Sequence, residues 1–255
     1  MSRKNTTVGT GVMIYLCLLS VAEFVTTHNL RAGMAIHGGI LFALLLHGVM
    51  VEDQSISNMY TSFSIAPLIR ILSLSIPLLQ FENMLWFVIV GIPLFIAIFT
   101  CMHIQHLDRR SVGLVMPSRK DVSLTCEIIV LGVLLGWMEY QILKPGLMIA
   151  ASASWITPIL ILLVCTGFLE ELLFRGLLQH TFTETMGVRG IYVVSVIFGI
   201  FHIGNSIYDC FFAAMVGFIY ASVVQRTGSI YGVSISHGTI NIMFFLVIPY
   251  LALSS

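Results

Sequence analysis

Apolar stretches about as long as a bilayer is thick recur along the whole chain, broken by short polar ones. They fall at roughly 9–27, 33–51, 62–80, 84–104, 122–143, 155–180, 190–204, 209–226 and 231–251. A helix that crosses a membrane needs about 20 mostly apolar residues at about 1.5 Å rise each. The pattern therefore predicts an all-α fold, a polytopic transmembrane helical bundle of about eight or nine spans. The seventh and eighth stretches are short and parted by the polar Gly204-Asn205-Ser206, so a broken or re-entrant segment is the alternative to two full crossings. The most polar connection, 105–121, carries His106, Asp108, Arg109, Arg110, Pro117, Arg119 and Lys120. It divides the chain into amino-terminal transmembrane helices (1–104), a cytoplasmic basic linker (105–121) and a carboxy-terminal transmembrane domain (122–255). Gly132/Gly136 and Gly228/Gly232 have the small-xxx-small spacing of closely packed membrane helices.

Composition agrees with that pattern. Of 255 residues, 58% are hydrophobic and only 9% charged, with a mean hydropathy of +0.99. About a quarter of a soluble domain is charged, so a water-soluble globule is excluded. Net charge is zero, which gives no field for nucleic acid. With the amino terminus in the cytoplasm, Arg3, Lys4, Arg109, Arg110, Arg119, Lys120, Arg189 and Arg226 fall inside, against Arg31 and Lys144 outside. The first apolar run continues through Val25, past a weak signal-peptidase match at Ser20-Val21-Ala22, and is read as an uncleaved span. Cys17, Cys101, Cys126, Cys165 and Cys210 stand singly, with neither a disulfide framework nor zinc-knuckle spacing.

Ionisable groups inside a span cost roughly 2.5–3.5 kcal/mol each on insertion scales, so they normally face a polar interior. The sixth span holds Glu170-Glu171-Leu172-Leu173-Phe174-Arg175. Glu171 and Arg175, at i and i+4, have the spacing and order of a helical ion pair. Glu170 lies about 100° round the helix, off that face. With no cationic partner in its own helix, it is the candidate general base. His202 ends a second apolar run, and His237 and Asn241 project together from a third at i and i+4. An imidazole and a carboxamide so placed can donate to a developing oxyanion. For each group taken alone, a helix-to-helix contact is the alternative. Together they supply a base, its partner and oxyanion donors for attack of water on an amide.

These segments resemble the Rce1-like type II CAAX prenyl endopeptidases of the wider CPBP or Abi family, marked by EExxxR, FxxxH and a later His with a polar residue four positions on. Here they stand as Glu170-Glu171-Leu172-Leu173-Phe174-Arg175, Phe198-Gly199-Ile200-Phe201-His202 and His237-Gly238-Thr239-Ile240-Asn241. The resemblance covers roughly 155–245 and owes nothing to residues 1–120. It implies an intramembrane glutamate protease whose catalytic group is Glu170, His202, His237 and Asn241. Glu170 would activate water with help from His202, His237 and Asn241 would stabilise the oxyanion, and Glu171 and Arg175 would order the site.

The implied partners are a membrane-tethered peptide or protein substrate, prenylated or otherwise lipidated, and the lipid bilayer. The implied location is the plasma membrane in a prokaryote or the endoplasmic reticulum in a eukaryote. No cofactor or metal is called for. A ninth span and the extra Glu23, His37, His47 and Arg70 depart from the family pattern; these four read as solvated faces or helix contacts, or else as the lining of a substrate entrance. Three readings compete. A zinc version of the protease would use Glu170, His202 and His237, against which stands the absence of HExxH. A scaffold or self-immunity protein would keep the motifs for structure alone. A transporter would need an inverted repeat that the sequence lacks.

Overall fold

A computed structural model describes residues 3–75, 83–149 and 154–253, with side chains from residue 8 onward except that of Asn83. Arg3 and Lys4 therefore lie outside the described side chains, and positions 76–80 of the third apolar stretch lie outside the described residues. Every described segment of regular structure is helical, and the fold is an all-α polytopic bundle.

The helices are α1 (Arg3–His28), α2 (Leu30–Met50), α3 (Gln54–Phe63), α4 (Ile65–Ser75), α5 (Asn83–Ile104) and α6 (Val122–Leu143). They continue as α7 (Ile156–Met186), α8 (Arg189–Ile200), α9 (Ile207–Thr227) and α10 (Tyr231–Leu253). Seven of them, α1, α2, α5, α6, α7, α9 and α10, are long and apolar enough to cross a bilayer. Large apolar side chains such as Phe42, Ile96, Val130, Ile156 and Phe211 point outward. Lipid covers such a surface and water does not, so the protein is an integral, multi-pass membrane protein.

Two of the nine predicted stretches differ from a simple crossing. The third is broken: α3 ends at Phe63, and α4 begins at Ile65 with Pro67 in its first turn. Proline has no N–H for the carbonyl four residues back, and its ring crowds that carbonyl, so the chain restarts there. The seventh, α8, has 12 residues, roughly 18 Å of helix against a hydrocarbon core of about 30 Å. The seventh stretch is therefore short, as the alternative had it, whereas the eighth, α9, is long enough to cross. Residues 201–205 form a turn, and Ser206 caps α9 by accepting from the Asp209 N–H at 3.0 Å.

Close backbone approaches set the carboxy-terminal packing. A Cβ on Gly132 would lie 2.6 Å from the Ser236 carbonyl oxygen, and one on Gly136 2.7 Å from Met243 Cβ, so α6 and α10 meet along this pair as the spacing predicts. The second pair does not form a helix face: Gly228, at φ +66, ends α9, and only Gly232 packs against α6, at Thr125. A third approach was not anticipated. A Cβ on Gly167 of α7 would sit 2.6 Å from the Gly238 backbone nitrogen of α10. This contact places the Glu170-Glu171 turn beside His237.

In the 105–118 connection, Asp108 Oδ1 accepts from Ser111 N and Oγ, both at 2.8 Å. Those bonds hold the Asp108 carboxyl below the ordinary aspartate range.

Candidate active site

α7 is not a uniform α-helix. Residues Leu162–Phe168 and Leu172–Leu178 are π-helical and flank a single α turn, Leu169–Glu171. π segments within helices mark functional sites disproportionately, because the widened turn re-aims its side chains. Here it presents two adjacent carboxylates to opposite edges of one imidazole. His237 Nδ1 lies 2.8 Å from Glu171 Oε1, and Nε2 lies 3.8 Å from Glu170 Oε2. The expectation that Glu170 and Glu171 face apart holds for exposure: the Glu171 side chain is sealed, while that of Glu170 is 36% accessible. It fails for their shared contact with His237.

The Glu171–Arg175 pair forms as the spacing predicts, with Arg175 NH1 donating to Glu171 Oε1 at 2.9 Å. The guanidinium also lies over the Phe198 ring, 4.4 Å from its centroid, with Tyr220 and Phe174 further off. These aromatic faces stabilise a buried cation by about 2 kcal/mol or more when desolvated. Arg175 Nε and NH2 and Glu171 Oε2 nevertheless lack hydrogen-bond partners among the described residues.

Asn241, one turn beyond His237, donates from Nδ2 to Thr166 Oγ1 at 2.8 Å, and Thr166 in turn donates to the Leu162 carbonyl. That chain orients the carboxamide while leaving a second N–H on Nδ2. His202, on the turn after α8, turns one ring nitrogen to Asp209: its Nδ1 lies 2.9 Å from Asp209 Oδ2, which also accepts from Asn205 Nδ2 at 2.9 Å. Among the described residues the imidazole within ion-pair distance of Glu170 is His237, and His202 and Glu170 border the same cavity.

A cavity of about 170 Å³ gathers these groups. Glu139, Thr166, Glu170, His202, Asn205, His237 and Asn241 line it, with Phe87, Phe198 and Phe244 on its apolar walls. All four residues expected to be catalytic border this space, whereas the two expected to order it, Glu171 and Arg175, are buried behind them. A second, more apolar cavity of about 470 Å³ shares Phe87, Glu170, Phe198, His202, Asn205 and Phe245 and extends to Arg70, Trp86 and Val90 on α4 and α5.

Glu139 of α6 and Asp209 of α9 went unnoticed in the sequence. Each is a carboxylate within an apolar helix, the same signal that singled out Glu170. The set weighed for zinc is not the one the fold groups: ligand atoms of Glu139, His202 and Asp209 lie within 4.8 Å of one another, and Glu170 and His237 are outside that group.

The four unexplained residues of the amino-terminal half make helix contacts. Arg70 Nε and NH2 donate to the two oxygens of Glu23, both at 2.6 Å, and His37 Nε2 lies 3.3 Å from the same carboxylate. His47 stacks on Tyr60, 4.1 Å between centroids, with the Tyr15 hydroxyl 3.3 Å from its Nδ1. Arg70 alone of the four also borders the larger cavity.

Residues 152–243 match the family of Rce1-like type II CAAX prenyl endopeptidases. That segment contains all three motifs. No curated protein and no solved structure matches the chain.

Proposed function

We propose that the protein is an intramembrane endopeptidase of the glutamate type, hydrolysing a peptide bond in a substrate already held by the bilayer. The observation that carries this reading is the cavity in which an accessible Glu170 carboxylate, the His237 and His202 imidazoles and the Asn241 carboxamide share one wall-to-wall space. Glu170 takes a proton from water as the water attacks the scissile carbonyl. The Glu171–Arg175 pair holds His237 by Nδ1, so its Nε2 is presented to the reacting atoms beside Glu170. The remaining Asn241 N–H and a protonated His237 donate to the oxyanion, the interaction that such donors strengthen as charge develops. His202, anchored by Asp209, stands across the cavity to relay the proton to the leaving amine. No covalent intermediate is formed: of the serines flanking His237, Ser236 is tied to Tyr220 and the Ile128 carbonyl, and Ser234 has no base.

The substrate class follows from the larger cavity, whose apolar lining suits a lipid-modified or membrane-embedded peptide. The test is cleavage of a lipidated, internally quenched peptide by purified protein in proteoliposomes. Glu170→Gln is expected to lower kcat/KM by about 10²–10⁴-fold with unchanged thermal unfolding. Full activity in that variant overturns the mechanism, and full membrane function without cleavage in the wild type would favour the scaffold reading.

A further inference from the structure

We infer that Glu139 sets the specificity of the site by taking a basic side chain, lysine or arginine, on the substrate residue that supplies the leaving amine. This role rests on the protease reading and narrows its substrate. Glu139 is on α6, outside the segment 152–243 that carries the three motifs, and the proposed reaction gives it no task. Its side chain is buried and borders the smaller cavity, yet it makes no hydrogen bond or ion pair among the described residues. A carboxylate kept inside a membrane bundle without a partner is costly and marks a place where a ligand belongs. One of its oxygens lies within 4.8 Å of a ring nitrogen of His202, the group that relays the proton to the leaving amine. Glu139 therefore stands on the leaving-group side of the scissile bond.

The shape and charge of the cavity suit that occupant. Phe212, Val216 and Phe244 give it apolar walls, along which the methylene stem of a lysine or arginine lies while its charged head reaches a carboxylate. Without such a residue the charges are out of balance. Glu139, Glu170, Glu171 and Asp209 supply four carboxylates in or directly behind the walls, against the Arg175 guanidinium and the His202 and His237 rings. With both rings protonated one negative charge is still unmatched, and a single substrate cation cancels it. The other three carboxylates are committed: Asp209 to His202 and Asn205, Glu171 to Arg175 and His237, and Glu170 to His237 and, in the proposed reaction, to water. Glu139 is left to meet the cation. An acidic side chain there would add a fifth carboxylate, and a neutral one would leave Glu139 desolvated with no partner, so the site discriminates against both.

Two measurements on full-length protein test this role, with all variants matched to the wild type in thermal unfolding. In proteoliposomes the enzyme is given a mixture of lipidated peptides randomised in sequence, and the residue after each cut is read by mass spectrometry. Lysine and arginine are expected there at least about tenfold more often than glutamine, the size of one hydrogen bond to a charged group. Glu139→Gln is expected to flatten this preference and Glu139→Lys to turn it toward aspartate and glutamate. Glu127→Gln, which removes an exposed carboxylate of the same helix, is expected to keep it. Cuts with no basic preference, or an equal preference in Glu139→Gln, overturn the role of Glu139 and leave the protease reading standing. The second measurement needs no cleavage. A fluorescent lipidated peptide with one lysine is expected to bind Glu170→Gln protein at least about tenfold more tightly than its norleucine twin, a difference that adding Glu139→Gln erases. Equal binding of the twins overturns the cation site even where the wild type cleaves nothing. A lysine preference that Glu139→Gln erases, in a wild type that cleaves nothing, keeps the cation site and overturns the protease reading.

Discussion

The amino-terminal Glu23–Arg70–His37 cluster and the carboxy-terminal Glu171–Arg175–His237 cluster are both ion groups inside a membrane bundle, yet they are finished differently. In the first, one guanidinium takes both oxygens of Glu23 at 2.6 Å, leaving only the His37 ring outside hydrogen-bond geometry. In the second, one oxygen of Glu171 serves both Arg175 and His237, the other oxygen and two guanidinium nitrogens go unmatched, and a further carboxylate stands open at the cavity. A closed bidentate pair fastens helices. A cluster with spare valences and an adjoining cavity is suited to bind and react. The contrast separates structure from chemistry without appeal to any motif.

Glu23→Gln leaves the Arg70 cation, part-exposed at the larger cavity, short of its partner and is expected to lower stability by about 1.5–3 kcal/mol, read from thermal unfolding in detergent. Cleavage per folded molecule should stay at the wild-type level, the reverse of the Glu170→Gln pattern. Pairing Glu23→Leu with Arg70→Met should restore most of the lost stability, because replacing both charges removes the penalty of the survivor. Gly167→Val probes the seam that brings the two motifs together. Its branched side chain has no room beside Gly238 and Ser234, and the expected loss is about 1–3 kcal/mol together with a fall in kcat as His237 moves off Glu170. The finest test is Tyr220→Phe. It deletes the 2.7 Å bond to Ser236 and keeps the ring near Arg175, so a loss of about 1 kcal/mol with near-normal kcat is expected from the same two assays.

Much of this was legible in the chain because helical spacing is local. Glu171 and Arg175, four apart, had to meet, and His237 and Asn241 had to share a face. What lay across helices was not legible. The pairing of His202 with Asp209 spans a turn that hydropathy cannot shape, and Glu139 has no ionisable partner at i+4 to draw attention to it. The contact of Glu170 with His237 was hidden for a related reason: the π turns on either side of Leu169–Glu171 alter the angle at which it leaves the helix, and no periodicity count registers them. At the third apolar stretch the signal was present, since Pro67 interrupts the run, but averaged hydropathy passes over a single proline.

The approach of Gly167 to Gly238 has a consequence for traffic. Two backbones in contact leave no gate between α7 and α10, and the larger cavity offers a substrate of the proposed kind a way to Glu170 past Trp86 and Phe87 of α5 and the Arg70 guanidinium of α4. On the proposed function, the doorway is built from helices that carry none of the reacting groups. Selectivity can then drift by altering α4 and α5 while the chemistry stays fixed behind them.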